Sequence, residues 1–425
     1  TQVPNAASYT LYLYQKQVSG GDTLVETYEG LTAASKDFTE IIVHSGDYYI
    51  TVQAIGDGTS YTDSAVSAQS PAYHYINRDE SGYILIETAD ELLTLAKSDA
   101  DLTQNYKLAN NIDMTGKTGK VIGKYNNGAS GEKAFTGIFD GDGHQITNLS
   151  LAGEALFSYV GETGIIRNVT LANGEIEDSA SNSSHYPAAL VSLNKGTVEN
   201  CFSKNTTVVS QYNACTGGLV GRNDGTVRLS GVDGGSVVCK SAYSTKIGGL
   251  IGRNLGGVDQ CFSSASVSGA KWVGGLIGGQ EGGTVSNCYA VGQVTATGEQ
   301  AGGLVGFFIT YDRDNPSVLQ NAYASNNVQA LSGGPIAGGN ATVAKDGEAT
   351  AANCYYNVYK TAPETEGMAL SSAVGKTTGQ MKTQEFAQHL GGSDIWAVDG
   401  SQGAKVVNNG YPYLTKAAPA PADAS

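Results

Sequence analysis

The sequence predicts an all-β chain whose main body is a right-handed parallel β-helix (solenoid) with short capping helices, preceded by a small β-rich module. Three observations predict it. The 425 residues include 57 glycines but only 15% charged residues, a composition of tight turns and short strands rather than long surface helices. A five-residue string recurs along the middle of the chain. A second string follows each copy at short range.

The first string is Gly217-Gly218-Leu219-Val220-Gly221, repeated at Gly248–Gly252, Gly274–Gly278 and Gly302–Gly306, with a worn copy at Gly333–Gly338. Ala188-Ala189-Leu190-Val191 and Glu154-Ala155-Leu156-Phe157 occupy the same slot earlier. The steps between copies run from 26 to 34 residues, which means a fixed core with variable loops. The second string is Asn287-Cys288-Tyr289, matched by Asn200-Cys201-Phe202, Gln260-Cys261-Phe262, Asn321-Ala322-Tyr323 and Asn353-Cys354-Tyr355. A third, weakly alternating stretch such as Gly292–Ala296 closes the unit. Three short strands per unit make one coil, and stacking coils ~4.8 Å apart pairs their backbones and places like on like.

This stacking predicts two columns. Leu149, Val169, Cys201, Ser230, Cys261, Cys288, Ala322 and Cys354 form a small, mostly apolar interior column. The asparagines before them cannot also face inward on a straight strand, so they are placed at a bend, where Asn tolerates left-handed geometry and its amides can bond from coil to coil. The cysteines are therefore structural thiols. They form no CxxC pair, and parallel stacked side chains do not suit a disulfide.

The Gly-Gly-Leu-[Val/Ile]-Gly string with its downstream Asn-Cys-Tyr resembles the GLUG motif of bacterial surface proteins, among them adhesin-like proteins and the non-catalytic part of streptococcal immunoglobulin A proteases. The resemblance spans about residues 84 to 415. Tyr106–Asp113 and Phe135–His144 resemble the entry to such solenoids, and Trp396 with Asn409–Leu414 their exit. It implies scaffold, not activity.

Caps and flanks follow from local signals. Thr88-Ala89-Asp90-Glu91 is a capping box opening a helix of about ten residues that would cover the first coil with Leu92, Leu93 and Leu95. Gln380 to Leu390 reads as a second helix, stopped by Gly391-Gly392, whose Met381, Phe386 and Leu390 would cover the last coil. Residues 1–76 contain alternating strands at Tyr9–Tyr14, Tyr48–Ala54 and Ser64–Ala68. They resemble a fibronectin type III β-sandwich lacking its first strands. The resulting division is 1–76 sandwich, 77–135 N-terminal cap, 136–360 β-helix, 361–416 C-terminal cap and 417–425 Ala/Pro linker. The ends read as those of a piece cut from a longer protein.

The search for chemistry excludes more than it finds. The net charge of −15 repels nucleic acid and anionic lipid, and no apolar run is long enough to span a membrane. The five histidines are scattered, HExxH and GxSxG are absent, and no glycine-rich string ends in GK[ST], so zinc protease, serine hydrolase and phosphate-loop readings find no support. Asp140-Gly141-Asp142-Gly143 lacks the glutamate an EF-hand needs at position 12 and reads as a turn. Asp178, Asp233, Asp259 and Glu281 show no cluster. Neither cofactor nor metal is expected. For binding, the clearest insertion lies between Gly306 and Asn321 and holds Phe307, Phe308, Tyr311, Asp312 and Arg313, with Trp272 near the preceding coil. The loop Asp178–Pro187 is a second candidate. The expected function is a non-enzymatic adhesion, ligand-binding or spacer module, secreted or displayed on a Gram-positive cell wall. It would be monomeric and would meet a host or matrix glycan or glycoprotein, or neighbouring domains of its own chain. The alternatives are the non-catalytic region of a large protease or glycosidase, and a polysaccharide-cleaving β-helix enzyme.

Overall fold

In the computed structural model of the chain, the described residues are 3–17, 21–33, 35–97, 100–128, 130–179, 185–212, 215–243, 246–339, 349–360, 372–398 and 408–417. The expected Ala/Pro linker lies outside them beyond residue 417, as do residues 180–184 of the second candidate loop.

The main body is a parallel β-solenoid of about eight turns. The leucine column decides the register. Leu190, Leu219, Leu250, Leu276 and Leu304 are wholly buried. The amide of each donates to the carbonyl of the next, Leu219 to Leu250 at 3.0 Å, Leu250 to Leu276 at 2.8 Å and Leu276 to Leu304 at 2.9 Å. The motif leucines thus form one interior stack.

From Thr216 onward the coils run through four sheets where the repeat predicts three strands. Thr216–Gly217, Ile247–Gly248 and Val273–Gly274 belong to a sheet of strands two to four residues long, separate from the one holding Val220–Asn223, Ile251–Asn254 and Ile277–Gln280. The glycine pair is the corner between them. A Cβ on Gly217, Gly248, Gly274 or Gly302 would fall about 2 Å from the carbonyl oxygen three residues on, so no side chain fits there. The Asn-Cys-Tyr string follows on a third sheet and stretches such as Gln293–Ala296 on a fourth.

The second bend is as the column predicts. Asn148, Asn168, Asn200, Asn287, Asn321 and Asn353 all have φ between 49° and 57°. Amides run between coils, Asn200 to Asn168 at 2.9 Å and Asn353 to Asn321 at 3.1 Å. Leu229 and Gln260 occupy the same slot with φ of 53° and 52°. The following column is buried, and its four cysteines, Cys201, Cys261, Cys288 and Cys354, are free thiols. The bend turns a carbonyl inward, and the thiols of Cys201, Cys261 and Cys354 donate to the carbonyl two residues back at 3.2, 3.3 and 3.4 Å. Ser230, in the same stack, does so with its hydroxyl.

Parallel pairing reaches beyond the 136–360 segment, from Ile84–Ile86 to Ala373–Lys376. The N-terminal helix α1 (Ala89–Thr94) has the full capping box and buries Leu92, Leu93 and Leu95, though it is shorter than expected. At the C-terminal end the expected single helix is two, α2 (Thr378–Met381) and α3 (Gln384–His389). They break at Lys382, whose ψ of 38° leaves the helical region, and Thr383 restarts the second. Their apolar residues do not cover the last coil. Met381, Phe386, Leu390, Trp396 and Tyr411 instead pack sideways on a ladder of outward aromatics, Phe262, Tyr289, Tyr323 and Tyr355, with Tyr289 and Tyr323 stacked at 5.2 Å and 3°. The ladder is the Tyr of Asn-Cys-Tyr, which stands outside the coil and offers a row of apolar rings to pack on.

The N-terminal residues form one four-stranded antiparallel sheet in the order β2-β1-β3-β4, with β1 Ser8–Gln15, β2 Thr23–Leu31, β3 Gly46–Ile55 and β4 Tyr73–Tyr75. Among the described residues no second sheet closes a sandwich over it. Ser64–Ala68 is not a strand, contrary to its alternation. The amides of Ser64, Ser67 and Ser70 donate to the carbonyls of Ala54, Val52 and Ile50. Their hydroxyls accept from those same three residues' amides at 3.0 Å. Three residues advance for every two of β3, so serine side chains replace the missing half of a ladder and cover its edge.

Candidate binding face

The sheet containing Ile251–Asn254 turns one polar column inward and another outward. Inward, Asn194, Asn223, Asn254 and Gln280 are wholly buried. Asn194 donates to Asn223 at 2.8 Å, Asn223 to Asn254 at 2.7 Å and Asn254 to Gln280 at 2.8 Å. Gln280 ends the run by donating to the carbonyls of Gly282 and Gly283. Phe308, in register with Gln280, closes it above. In this ladder each carboxamide N–H meets the next side-chain oxygen, which fixes the register, while at its lower end Asn194 Oδ1 has no hydrogen-bond partner.

Outward, the register aligns Tyr159, Leu193, Arg222, Arg253, Gly279 and Phe307, one per coil. Two clusters form along this column. In the lower one, Arg222 makes a two-pronged pair with Asp224 at 2.8 Å on each prong, donates to the Tyr186 hydroxyl at 3.2 Å, and lies over the Tyr186 ring. Tyr125 bridges the Tyr159 and Tyr186 rings at 5.8 and 5.9 Å.

The upper cluster is built around a carboxylate with no solvent exposure. Arg253 donates to Glu281 Oε2 through Nε at 2.9 Å and lies 2.7 Å from it through its terminal nitrogen. Lys246 Nζ sits 2.5 Å from Oε1 as an ion-pair contact without the alignment of a hydrogen bond. Gly279 makes room, since a Cβ there would lie 2.7 Å from the Lys246 side chain. Two cations share one carboxylate, leaving positive charge on a protein of net −15. Above them Trp272 packs on Phe307 at 4.9 Å, hydrogen-bonds through its indole N–H to Gln300, and is flanked by the ammonium groups of Lys246 and Lys271 at 5.8 and 5.4 Å. Trp272 holds a φ of 56°, a conformation that a bulky side chain adopts only where its surroundings require it.

Of the six candidate residues, the fold thus unites Trp272 and Phe307. Phe308 faces the core and is wholly buried. Tyr311, Asp312 and Arg313 form the exposed tip of the insertion, whose base is clamped by Ser317: its hydroxyl donates to the Ile309 carbonyl and its amide donates to the Thr310 hydroxyl at 2.9 Å. Lys246, Arg253 and Arg222 were not among the expected residues, whereas Tyr186 belongs to the second candidate loop, Asp178–Pro187. The signal was available, because Arg222 and Arg253 directly follow the repeated string and so had to share a face. Glu281, which showed no cluster in sequence, is the centre of one here. A second group joins Glu154, Asp178 and His185. His185 Nδ1 lies 3.3 Å from Asp178 and 3.7 Å from Glu154, and Ser192 donates to Glu154 at 2.6 Å. Burial raises the Glu154 pKa against that hydrogen bond.

Residues 269–295 match the GLUG motif. That segment is the coil carrying Trp272, the Leu276 stack member, Glu281 and the Cys288 column, so the GLUG coil holds both scaffold and half of the upper cluster. Over 243 residues, 50% of this chain, the sequence is 26% identical to halomucin of Haloquadratum walsbyi (strain DSM 16790 / HBSQ001). The chain spans 2% of the length of that relative.

Proposed function

We propose that the chain is a non-enzymatic, extracellular binding or spacer module of a cell-surface protein, and that the outward column of the GLUG coils is its ligand-facing side. One observation carries the reading. The motif residues are spent on corners, the leucine stack, the thiol column and the aromatic ladder that the C-terminal helices cover, while the outward face after the leucine corner gathers the Trp272–Phe307 pair over the Lys246–Glu281–Arg253 group. A half-buried indole backed by the buried Phe307 ring and set beside cationic side chains suits a host or matrix glycan or glycoprotein. The halomucin likeness and the GLUG coil support a surface location. A Gram-positive wall, a sandwich in residues 1–76 and a parent resembling the immunoglobulin A proteases belong to the same proposal.

The test is a glycan and matrix-glycoprotein array probed with the full chain, followed by Trp272→Ala and Tyr311→Ala. Loss of at least tenfold in affinity for Trp272→Ala, with an unchanged circular dichroism spectrum, supports the face. Binding that survives in both variants rejects it. Polysaccharide cleavage has the Glu154–Asp178–His185 group in its favour, a raised carboxyl beside a second carboxylate. New reducing ends released by the parent and not by Glu154→Gln would replace binding with turnover.

A further inference from the structure

Three ligand-bearing side chains meet where the N-terminal sheet touches the first coil. His44 stands before β3, Glu87 before α1, and Glu91 in its first turn. One ligand atom from each lies within 4.8 Å of the other two, and His44 Nδ1 is 2.5 Å from Glu87 Oε2. The decisive feature is how Glu91 is used. Its Oε2 accepts from the amides of Glu87 and Thr88 at 2.7 and 3.0 Å, completing the capping box. Its Oε1 is buried without a hydrogen-bond partner, and the residue is only 6% exposed. A buried carboxylate oxygen left bare beside a second carboxylate is costly unless something positive meets it.

The supporting shell is already present. Backbone amides fix the Glu91 carboxylate, and the Tyr48 hydroxyl donates to the His44 carbonyl at 2.8 Å, steadying the loop that carries the imidazole. Metal ligands are oriented in this way. Glu87 is half-buried and His44 half-exposed, which leaves an entry path from solvent.

We propose that His44, Glu87 and Glu91 form a site for a divalent transition ion such as Zn²⁺ that ties the N-terminal sheet to the solenoid. One imidazole nitrogen and two carboxylate oxygens suit zinc, with water in the fourth position, whereas calcium needs six or more oxygens. Two ligands ~2.0–2.1 Å from a tetrahedral ion stand about 3.3 Å apart, so the 2.5 Å contact between His44 and Glu87 must open by about 0.8 Å, within reach of the exposed imidazole. Because the two modules meet at this point, an ion here would couple their stabilities by mass action.

The experiment is calorimetric titration of ZnCl₂ into the chelator-treated full chain, with thermal unfolding recorded with and without the metal. One ion per chain and a raised unfolding midpoint are expected. His44→Ala and Glu91→Gln should each weaken binding at least tenfold and abolish the rise; glutamine keeps the cap acceptor, so the helix is retained. His74→Ala, which removes the other exposed imidazole–carboxylate pair with Asp47, should bind as the parent does. Absence of binding in the parent, or parental affinity in His44→Ala, overturns the site. These results are independent of whether any glycan binds the outward face.

Discussion

Replacing Leu276 by alanine tests the stacked-coil argument most directly. The side chain is wholly buried between Leu250 and Leu304, and the backbone bonds at 2.8 and 2.9 Å hold both neighbours in place. Removing three carbons forfeits roughly 2.4 kcal/mol at ~0.8 kcal/mol per methylene. A cavity term adds to this, because a strand spacing fixed by hydrogen bonds cannot shrink to fill the gap. The expected cost is therefore in the upper part of the usual range, about 3–5 kcal/mol. Leu276→Asp should cost more, since an unpaired charge joins the cavity. Leu331→Ala, at a side chain 76% exposed, should stay within about 0.5 kcal/mol of the parent. Urea unfolding followed by circular dichroism gives the ranking. Hydrogen exchange adds the location, because a nearest-neighbour stack should lose protection first in residues 247–308. A Leu276→Asp variant that unfolds with the parent would mean that this leucine is not inside, and the coil register would fall with it.

Three further outcomes follow from the same stack. Cys288→Ser should cost less than about 1.5 kcal/mol, because Ser230 already fills this column and donates to the Arg228 carbonyl at 2.7 Å; a loss above 3 kcal/mol in urea unfolding would contradict that pattern. Asn223→Ala should cost about 1–3 kcal/mol by leaving Asn254 Oδ1 without its donor inside the core, and an unchanged urea midpoint would show that the amide ladder carries no stability. Asp140 is pushed up by burial, but bonds from Asn168, the Asp142 amide and Arg167 prevail and hold its pKa below the ordinary 3.8. Its stabilisation is complete above that ordinary value and is lost as pH falls through the lower native one. The parent's advantage over Asp140→Asn in melting temperature should accordingly persist to about pH 4 and shrink below it; a gap constant down to pH 2 would refute the assignment.

The legibility of this fold has a physical limit set by what repetition records. Stacking forces identical demands on residues one coil apart, so the corner glycines, the leucine stack and the left-handed asparagines announce themselves as recurrences. Cys201 and Cys354 could be read as inert for the same reason, and burial indeed pushes their thiols to about 12. The Tyr of Asn-Cys-Tyr was visible as a repeat, but not that it stands outside the coil and draws α2, α3 and Trp396 to the flank. That depends on where a distant segment of the chain docks, which periodicity does not contain. Ser64–Ala68 misled because five residues alternate acceptably at period two, whereas the hydrogen bonds follow the serines at period three.

The binding face was hidden for the opposite reason. Its column reads Tyr, Leu, Arg, Arg, Gly, Phe, so no single residue type recurs along it as the leucines do inside. A solenoid needs sameness where side chains enter the core, since a wrong residue there opens a cavity or strands a polar group. It makes no such demand on the outward position between two corners. Variation at that position is therefore free to serve recognition, and the two roles are separated by geometry within a few residues of one another. Gly279 shows how close they stand. It lies one residue after the last glycine of a repeated string and beside the buried amide of Gln280, and its missing side chain is what lets Lys246 reach Glu281. A binding site could thus change from coil to coil without disturbing the stack beneath it.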